Sequence, residues 1–229
     1  MRIIDLSWPV APGMPMFPGD PPVTLTPMGS LETHGFVSHL ASLPAHSGTH
    51  MDAPAHVARG GAALADLPLA RFAGPGAVLD LRARPGLPVT EDDLAPLLAP
   101  LLAPLSAYTA TPAFLLLRTG DEDRWGDPAY YTAGAHLTPG AARLLGALSD
   151  LSGIGLSGIG LDAGSADPLS ATELPAHHAL LDAGLVIVEN LRGLGQLPAR
   201  GFTFLCLPVL GGDGSPVRAA ALLDAEVAL

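Results

Sequence analysis

The sequence predicts a single mixed α/β domain. Short apolar runs with the length of buried strands recur along all 229 residues, and helix-start signals lie between several of them. With 48% hydrophobic residues the chain can bury a full core, and no shift in composition marks an internal boundary. We therefore expect residues 1–229 to form one domain.

The strands are expected, in chain order, at residues 2–7, 36–43, 77–82, 113–119, 159–162, 185–190, 202–209 and 219–223. Two helices have clear N-terminal signals, because Thr90 precedes three acidic residues and Thr138-Pro139 precedes residues 140–149. Prolines recur at every fourth position after the first signal, and each costs about 3 kcal/mol inside a helix. A broken or kinked element is therefore expected over residues 94–105.

The charge balance and the lengths of the apolar runs limit the function classes. The chain has 22 acidic and 11 basic residues, a formal charge of −11, which makes it a poor partner for nucleic-acid phosphates. The N-terminus lacks the apolar region of a signal peptide, and no stretch reaches the roughly 18 apolar residues of a membrane span. We expect a cytoplasmic protein that acts on a small molecule, with no nucleic-acid or membrane partner.

Residues 46–56 read His-Ser-Gly-Thr-His-Met-Asp-Ala-Pro-Ala-His and carry three imidazoles and one carboxylate. On a regular strand His46 and His50 would lie about 13 Å apart, too far to share one ion. A helix would bring them together, but it would place Asp52 on its far side, and Gly48 is a poor helix former. We therefore expect a strand end bent at Gly48, which folds His46 back toward His50, with Asp52 following on the same face. A lone histidine is more often an ordinary hydrogen-bonded residue, but three around one aspartate favour a metal site.

A second group of candidates follows in the last third of the chain. Pro175 fits the first turn of a short helix, and Gly184 fits the turn after its end. Residues 185–188 then read as a buried strand, so that the helix start and the strand end bring His177 near Glu189. An unpaired buried carboxylate is costly, which favours a cation partner for Glu189. The alternative is that Glu189 is exposed to solvent at the end of the strand.

These motifs resemble the cyclase-like metal-dependent hydrolases, a family that includes the arylformamidases called kynurenine formamidases. Further matching pieces occur in the family's order at residues 5–7, 14–20, 116–120, 162, 165, 167–168, 176–178, 188–190, 207–208 and 216–218. The resemblance covers essentially the whole chain. It implies a swivelling β/β/α fold, with a mixed, partly barrel-like sheet flanked by helices, and assembly as a homodimer or homotetramer.

The resemblance also implies five ligands for two metal ions, namely His46, His50, Asp52, His177 and Glu189. The first three would hold one ion and His177 the other, with both carboxylates bridging. His56 is similar to the family's catalytic proton donor and acceptor. Phe17 would line the substrate pocket at a position where kynurenine formamidases usually carry tryptophan. The apolar segment 8–22 around it could cover the pocket, a partner subunit or only its own subunit.

Imidazole and carboxylate ligands without thiolate suit Zn²⁺, Mn²⁺, Fe²⁺ or Co²⁺ in a hydrolytic site. We expect two Zn²⁺ ions per subunit, with Mn²⁺ as the alternative metal. A single-ion site, in which His177 only supports a ligand, also stays open. His178 is expected either on the helix surface or in contact with a metal ligand. The other histidines outside the motif are expected to be structural.

The expected reaction is hydrolysis of a C–N amide bond, in which a metal-bound hydroxide attacks the carbonyl and His56 carries the proton to the leaving nitrogen. By resemblance the leading substrate is N-formylkynurenine, which would give kynurenine and formate. Opening of a cyclic amide or ester, as in isatin hydrolases, is the first alternative. The second is a non-catalytic metal-binding protein, against which His56 argues because the site does not need it as a ligand.

Overall fold

The computed structural model describes residues 1–83, 86–102, 111–150 and 155–223. Within these ranges the strands are β1 (Arg2–Asp5), β2 (Thr24–Gly29), β3 (Ser38–Ser42), β4 (His50–Asp52), β5 (Ala73–Asp80), β6 (Phe114–Arg118), β7 (Gly158–Leu161), β8 (Val186–Glu189), β9 (Phe202–Pro208) and β10 (Gly214–Leu223). The α-helices there are α1 (Leu31–His34), α2 (Glu91–Leu102), α3 (Pro139–Ala147) and α4 (Pro175–Leu181). No helix in the described parts of the chain has the length and apolar character needed to cross a membrane.

Eight strands form one mixed sheet in the order β1-β10-β4-β8-β7-β6-β5-β9. Strands β5 to β8 run parallel to one another, whereas the remaining pairs are antiparallel. Strand β9 pairs with β10 as well as with β5, so the sheet closes on itself and β1 lies outside the ring along β10. The mixed, partly barrel-like sheet expected from the resemblance is confirmed.

Two apolar clusters occupy the two sides of the sheet. Successive residues of a strand point to opposite faces, and β6 follows this rule: Leu115 and Leu117 belong to the cluster under the helices, whereas Phe114 and Leu116 belong to the cluster inside the ring. Residues from α2, α3 and α4 complete the helix-side cluster. Alternate residues along a strand therefore belong to different apolar clusters.

Every strand run expected from the sequence overlaps a strand of the structure. Strand β2 was not expected, because its residues are mostly exposed and Pro27 interrupts the apolar pattern. It pairs only with β3, in a separate two-stranded sheet. The expected N-caps are confirmed: Thr90 and Thr138 accept hydrogen bonds from the backbone N–H groups of Asp93 and Ala141.

A broken or kinked element was expected over residues 94–105. The break is corrected, because helix α2 continues through Pro96 and Pro100 to Leu102. The two prolines lie four residues apart, on one face of the helix, and both are exposed. The opposite face buries Leu94, Leu98 and Leu101 in the core. Burial of a leucine side chain contributes about 1.5 to 3 kcal/mol, which offsets the cost of the prolines. Residues 103–105 lie outside the described residues.

Candidate metal centre

Strand pairing places three of the expected ligands on one face. His50 of β4 is paired with Glu189 of β8, and Met51 is paired with Val188. Met51 and Val188 both join the cluster inside the ring, so His50, Asp52 and Glu189 share the opposite face. Nε2 of His50 lies 3.4 Å from Oδ1 of Asp52 and 3.5 Å from Oε2 of Glu189. All three side chains are buried.

The bend before β4 brings His46 back toward His50 and Asp52. Gly48 has a φ of +61°, a left-handed conformation that favours glycine. Nδ1 of His46 lies 2.7 Å from Oδ1 of Asp52, and the rings of His46 and His50 are 5.2 Å apart. A Cβ atom at Gly214 would overlap the His46 ring, so glycine at that position leaves room for the imidazole. The expected bent strand end is confirmed.

The first turn of α4 positions His177. Pro175 begins the helix as expected, and the carboxylate of Asp167 accepts from the backbone N–H groups of Ala176 and His177. Asp167 Oδ2 also lies 2.7 Å from Nδ1 of His177. The other ring nitrogen, Nε2, faces the buried carboxylates, 3.4 Å from Oε1 of Glu189 and 3.6 Å from Oδ2 of Asp52. His177 and Glu189 therefore meet as the sequence predicted.

Charge is balanced inside this cluster by imidazoles. Burial would raise the pKa of Asp52, but the neighbouring imidazoles of His50, His177 and His46 hold it well below its usual range. Burial would lower the pKa of His177, but the carboxylates of Asp167, Asp52 and Glu189 raise it well above the usual value. His46 behaves in the same way: burial opposes the shift, and Asp52 and Asp213 raise its pKa to about 9. The buried carboxylates thus favour positive charge among them.

The donor atoms converge in three overlapping groups that could each hold a metal ion, and within each group the ligand atoms lie within 4.8 Å of one another. Two groups share Asp52: His46, His50 and Asp52 form the first, and Asp52, His177 and Glu189 form the second. His46, His56 and Asp213 form the third, which is the more exposed one. Asp52 Oδ2 is buried and has no hydrogen-bond partner among the described residues. A buried unpartnered carboxylate oxygen is costly, and imidazole with carboxylate is a donor set typical of Zn²⁺ or Mn²⁺. The residues present therefore fit one or two divalent ions, and the ligand roles stay predictions.

His56 lies beside these groups, at the end of a short 3₁₀ turn over Pro54–His56. Its ring is 4.2 Å from that of His46 and 5.8 Å from that of His177. Burial, together with the nearby imidazoles of His46 and His177 and against the carboxylate of Asp52, lowers the pKa of His56. A neutral imidazole can accept a proton, which is compatible with the shuttle role expected from the sequence.

A cavity of about 250 Å³ opens above the cluster. Phe17 lines it in edge-to-face contact with Tyr131, their ring centroids 5.5 Å apart. Segment 8–22 packs on its own chain: Trp8 stacks on Trp125 at 5.0 Å, and its backbone N–H donates to Thr49 Oγ1. Phe17 thus reaches the cavity of its own subunit, as one of the alternatives for this segment anticipated.

Three residues at the site were given no role from the sequence. Asp167 binds Nδ1 of His177, and Asp213 lies 3.1 Å from Nε2 of His46. Asn190 has a φ of +57° and donates to the Gly48 carbonyl oxygen. Asp167 and Asn190 lie in sequence motifs that carried the resemblance, which was the available signal. Asp213 stands in a Gly-Gly-Asp-Gly stretch that reads as an ordinary turn.

The other histidines lie away from the centre. His178 is largely exposed and its Nδ1 lies 3.3 Å from Asp182 Oδ2, one turn further along α4. The cavity is not lined by His178, nor by His34, His39 or His136, among the described residues. These four positions agree with the surface or structural roles expected from the sequence.

Comparison with known proteins places this chain in a family. The family model described as "Putative cyclase" matches residues 4–168. The kynurenine formamidase of Salinibacter ruber is 37% identical, over 98% of this chain and 99% of that protein. The kynurenine formamidase of Paracidovorax citrulli is 34% identical, over 94% of both chains.

Solved structures agree at the level of the fold. An isatin hydrolase bound to the product analogue thioisatinate superposes with a TM-score of 0.80 at 24% identity, covering 97% of this chain and 92% of that one. A predicted metal-dependent hydrolase from Bacillus stearothermophilus gives a TM-score of 0.71 at 26% identity, covering 96% and 97%. The chain belongs to the cyclase family and is a metal-dependent hydrolase that acts on C–N amide bonds. The resemblance and the enzyme class expected from the sequence are confirmed.

Proposed function

We propose that the chain is an arylformamidase, which hydrolyses N-formylkynurenine to kynurenine and formate. The observation that carries this proposal is the buried Asp52 carboxylate, which belongs to two of the three candidate ligand groups and lines, with His56, an aromatic-walled cavity. Two relatives named kynurenine formamidase match nearly the whole chain at 34% and 37% identity. Water adds across the C–N bond of the formamide, so the aryl amine takes one proton and formic acid leaves.

We assign two Zn²⁺ ions per subunit to this centre, with Mn²⁺ as the alternative. His46, His50 and Asp52 would hold the first, and Asp52, His177 and Glu189 the second. A divalent ion there would polarise the formyl carbonyl and make water more acidic. The protein's own task is to hold its ligands in place, which the outer contacts of His50 with the Gly48 carbonyl and of His177 with Asp167 support.

His56 moves the proton in this proposal. Its ring lies at the cavity wall beside His46, and it belongs to neither ligand group that contains Asp52. As a neutral imidazole it accepts the proton of the attacking water and returns it to the nitrogen of the departing amine. A merely metal-binding protein has no use for such a group at this place.

The cavity wall supports a substrate with an aromatic portion. Phe17 and Tyr131 present two aromatic rings inclined at 71° to each other, and an aromatic partner gains about 0.5 to 1.5 kcal/mol beyond burial from such packing. The departure from tryptophan at position 17 reduces the stacking surface and removes an N–H donor.

Ring opening of isatin is the second candidate. It is favoured by the overlap of this fold with an isatin hydrolase at a TM-score of 0.80. The deciding experiment is one assay series with the zinc-loaded enzyme: formate release from N-formylkynurenine, beside ring opening of isatin and of simple lactones. Turnover of the formamide alone supports the first proposal, and turnover of a cyclic substrate alone moves the chain to the second.

We propose a homodimer or homotetramer as the working form. The separate β2–β3 sheet and the α1 turn between its strands expose Leu25, Met28, Leu31, Phe36, Val37 and Leu40, which are between 45% and 64% accessible. A two-stranded sheet is marginally stable alone, and a second subunit packed against this segment would cover exposed apolar side chains. Light scattering on the purified protein gives the mass, and Phe36→Ser should lower it toward that of one chain.

A further inference from the structure

We propose that Asp213 is a positioning residue, which holds a metal ligand and the proton shuttle in place with a single carboxylate oxygen. Oδ2 of Asp213 lies 3.1 Å from Nε2 of His46 and 3.4 Å from Nδ1 of His56. The two imidazole rings are 4.2 Å apart, so one oxygen can accept an N–H from each. The part of this proposal that concerns His56 rests on the proposed function.

The backbone fixes Asp213 relative to both histidines. Its carbonyl oxygen accepts from the backbone N–H of Ala53, directly before the 3₁₀ turn that carries His56. The next residue, Gly214, is paired with Asp52 in the β10–β4 ladder. The hydroxyl of Ser215 accepts hydrogen bonds from the backbone N–H groups of Val209 and Leu210. These bonds fix the start of the turn between β9 and β10, which contains Asp213. The carboxylate is thus held in place although it is 51% exposed.

The contact with His46 completes a pattern shared by all three proposed histidine ligands. In each ring, one nitrogen faces the buried carboxylates and the other has an outer oxygen acceptor. The acceptor is the Gly48 carbonyl for His50 and the Asp167 carboxylate for His177. For His46 the inner nitrogen is Nδ1, and the outer Nε2 faces Asp213. Such outer acceptors fix the tautomer and orientation of histidine ligands, and their loss typically weakens metal affinity about 10- to 100-fold.

The contact with His56 has a different consequence. An acceptor at Nδ1 favours the tautomer that carries its proton there, which leaves the Nε2 lone pair free. The shuttle needs this free nitrogen to accept a proton from water. Asp213 would therefore act on the reaction through His56 and on metal binding through His46.

The matched variants are Asp213→Ala, Asp213→Asn and Asp182→Ala. Asparagine keeps an oxygen that can accept both N–H groups, whereas alanine has none. Asp182 is the control, because it is also exposed and lies 3.3 Å from a histidine, His178, outside the cavity. Two measurements on metal-free protein need no substrate: Zn²⁺ affinity by competition with a chelator, and the ¹⁵N shifts of His56 at a pH where its ring is neutral, assigned with His56→Gln.

We expect Asp213→Ala to weaken Zn²⁺ binding by about 10-fold or more and to move the His56 signals away from the Nδ1–H tautomer. Asp213→Asn should retain more of both properties, and Asp182→Ala should match the wild type. Unchanged affinity with an unchanged His56 spectrum in Asp213→Ala overturns the proposal. So does the loss of one whole ion at saturating Zn²⁺, which would make Asp213 a ligand, and so does an asparagine variant as impaired as alanine. If the assays find no formamide hydrolysis while these shifts occur, the proposed function fails and the positioning role stands.

Discussion

Oδ2 of Asp52 lies 3.6 Å from Nε2 of His177, whereas Oδ1 of the same carboxylate lies 2.7 Å from Nδ1 of His46. The two oxygens of Asp52 therefore face different ligand groups: Oδ1 faces His46, and Oδ2 faces His177. A carboxylate placed in this way can join two ions, which in dinuclear hydrolytic sites lie about 3.5 to 4 Å apart. The proposed metal-binding role of the centre therefore depends strongly on this one side chain.

Replacement of Asp52 by alanine should remove both metal ions, because both groups lose a ligand at once. Replacement of His177 by alanine should release mainly one. Elemental analysis of protein dialysed against a defined Zn²⁺ concentration measures the number of ions per chain. Equal losses in the two variants would favour a single ion, and full occupancy in Asp52→Ala would rule out the proposed site.

The variant His56→Ala should keep its metal and lose at least about 10²-fold in kcat, as expected when a general acid–base group is removed. The reason is its position beside His46, outside both groups that contain Asp52. Steady-state kinetics and metal content are measured on the same preparation. Loss of an ion together with the activity would identify His56 as a ligand and contradict the shuttle role.

The sequence predicted those parts of the site that depend on neighbouring residues. Gly48 marks the bend, the alternation along β4 places His50 and Asp52 on one face, and Pro175 marks the start of α4. Each signal lies within a few residues of the side chain it positions, so it can be found without the fold.

The remaining contacts arise from pairing between distant strands. Asp213 reaches His46 because Gly214 pairs with Asp52, and closure of the ring depends on β9 pairing with both β5 and β10. No spacing in the sequence reports such contacts. The unbroken α2 was missed for another reason: the cost of a proline is local, whereas the burial that offsets it comes from the tertiary fold.

The stability of the metal-free protein should depend on pH through His46. Its folded pKa is raised to about 9, against a value of about 6.5 in the unfolded chain. Because the folded value is the higher one, the contribution is complete below about pH 6.5 and is lost as the pH rises through about 9. Urea unfolding at pH 7 and pH 10 measures it, with His46→Gln as the control. A wild type that loses no more stability than this variant would contradict the assignment.

Asp167 should support His177 and the start of α4 together. Its carboxylate faces three N–H groups, of which an asparagine oxygen can accept fewer. Asp167→Asn should weaken the second metal position about 10- to 100-fold and destabilise the helix start by about 1 kcal/mol. Zn²⁺ titration and thermal unfolding measure the two effects. Asp182→Asn at the other end of α4 is the control, and a variant that loses stability alone would limit Asp167 to a capping role.

Asp20 should select for substrates that carry an ammonium group. It lines the cavity with Phe17 and Tyr131, and no arginine or lysine lines it among the described residues. Burial raises the pKa of the Tyr131 phenol, and the negative charges of Glu189 and Asp20 raise it further. The Asp20 carboxylate is therefore close enough to influence a charged group at the cavity wall. N-formylkynurenine has a cationic α-amino group that an aspartate can pair with, whereas isatin is uncharged.

Asp20→Asn should therefore raise KM for N-formylkynurenine several-fold while kcat changes little, because the ammonium lies away from the reacting carbonyl. Any activity on isatin should stay as in the wild type. Asp182→Asn, which removes an exposed carboxylate outside the cavity, should alter neither value. An equal loss on both substrates would mean that Asp20 shapes the cavity and does not recognise charge. An unchanged KM for the formamide would place the amino group of the substrate elsewhere.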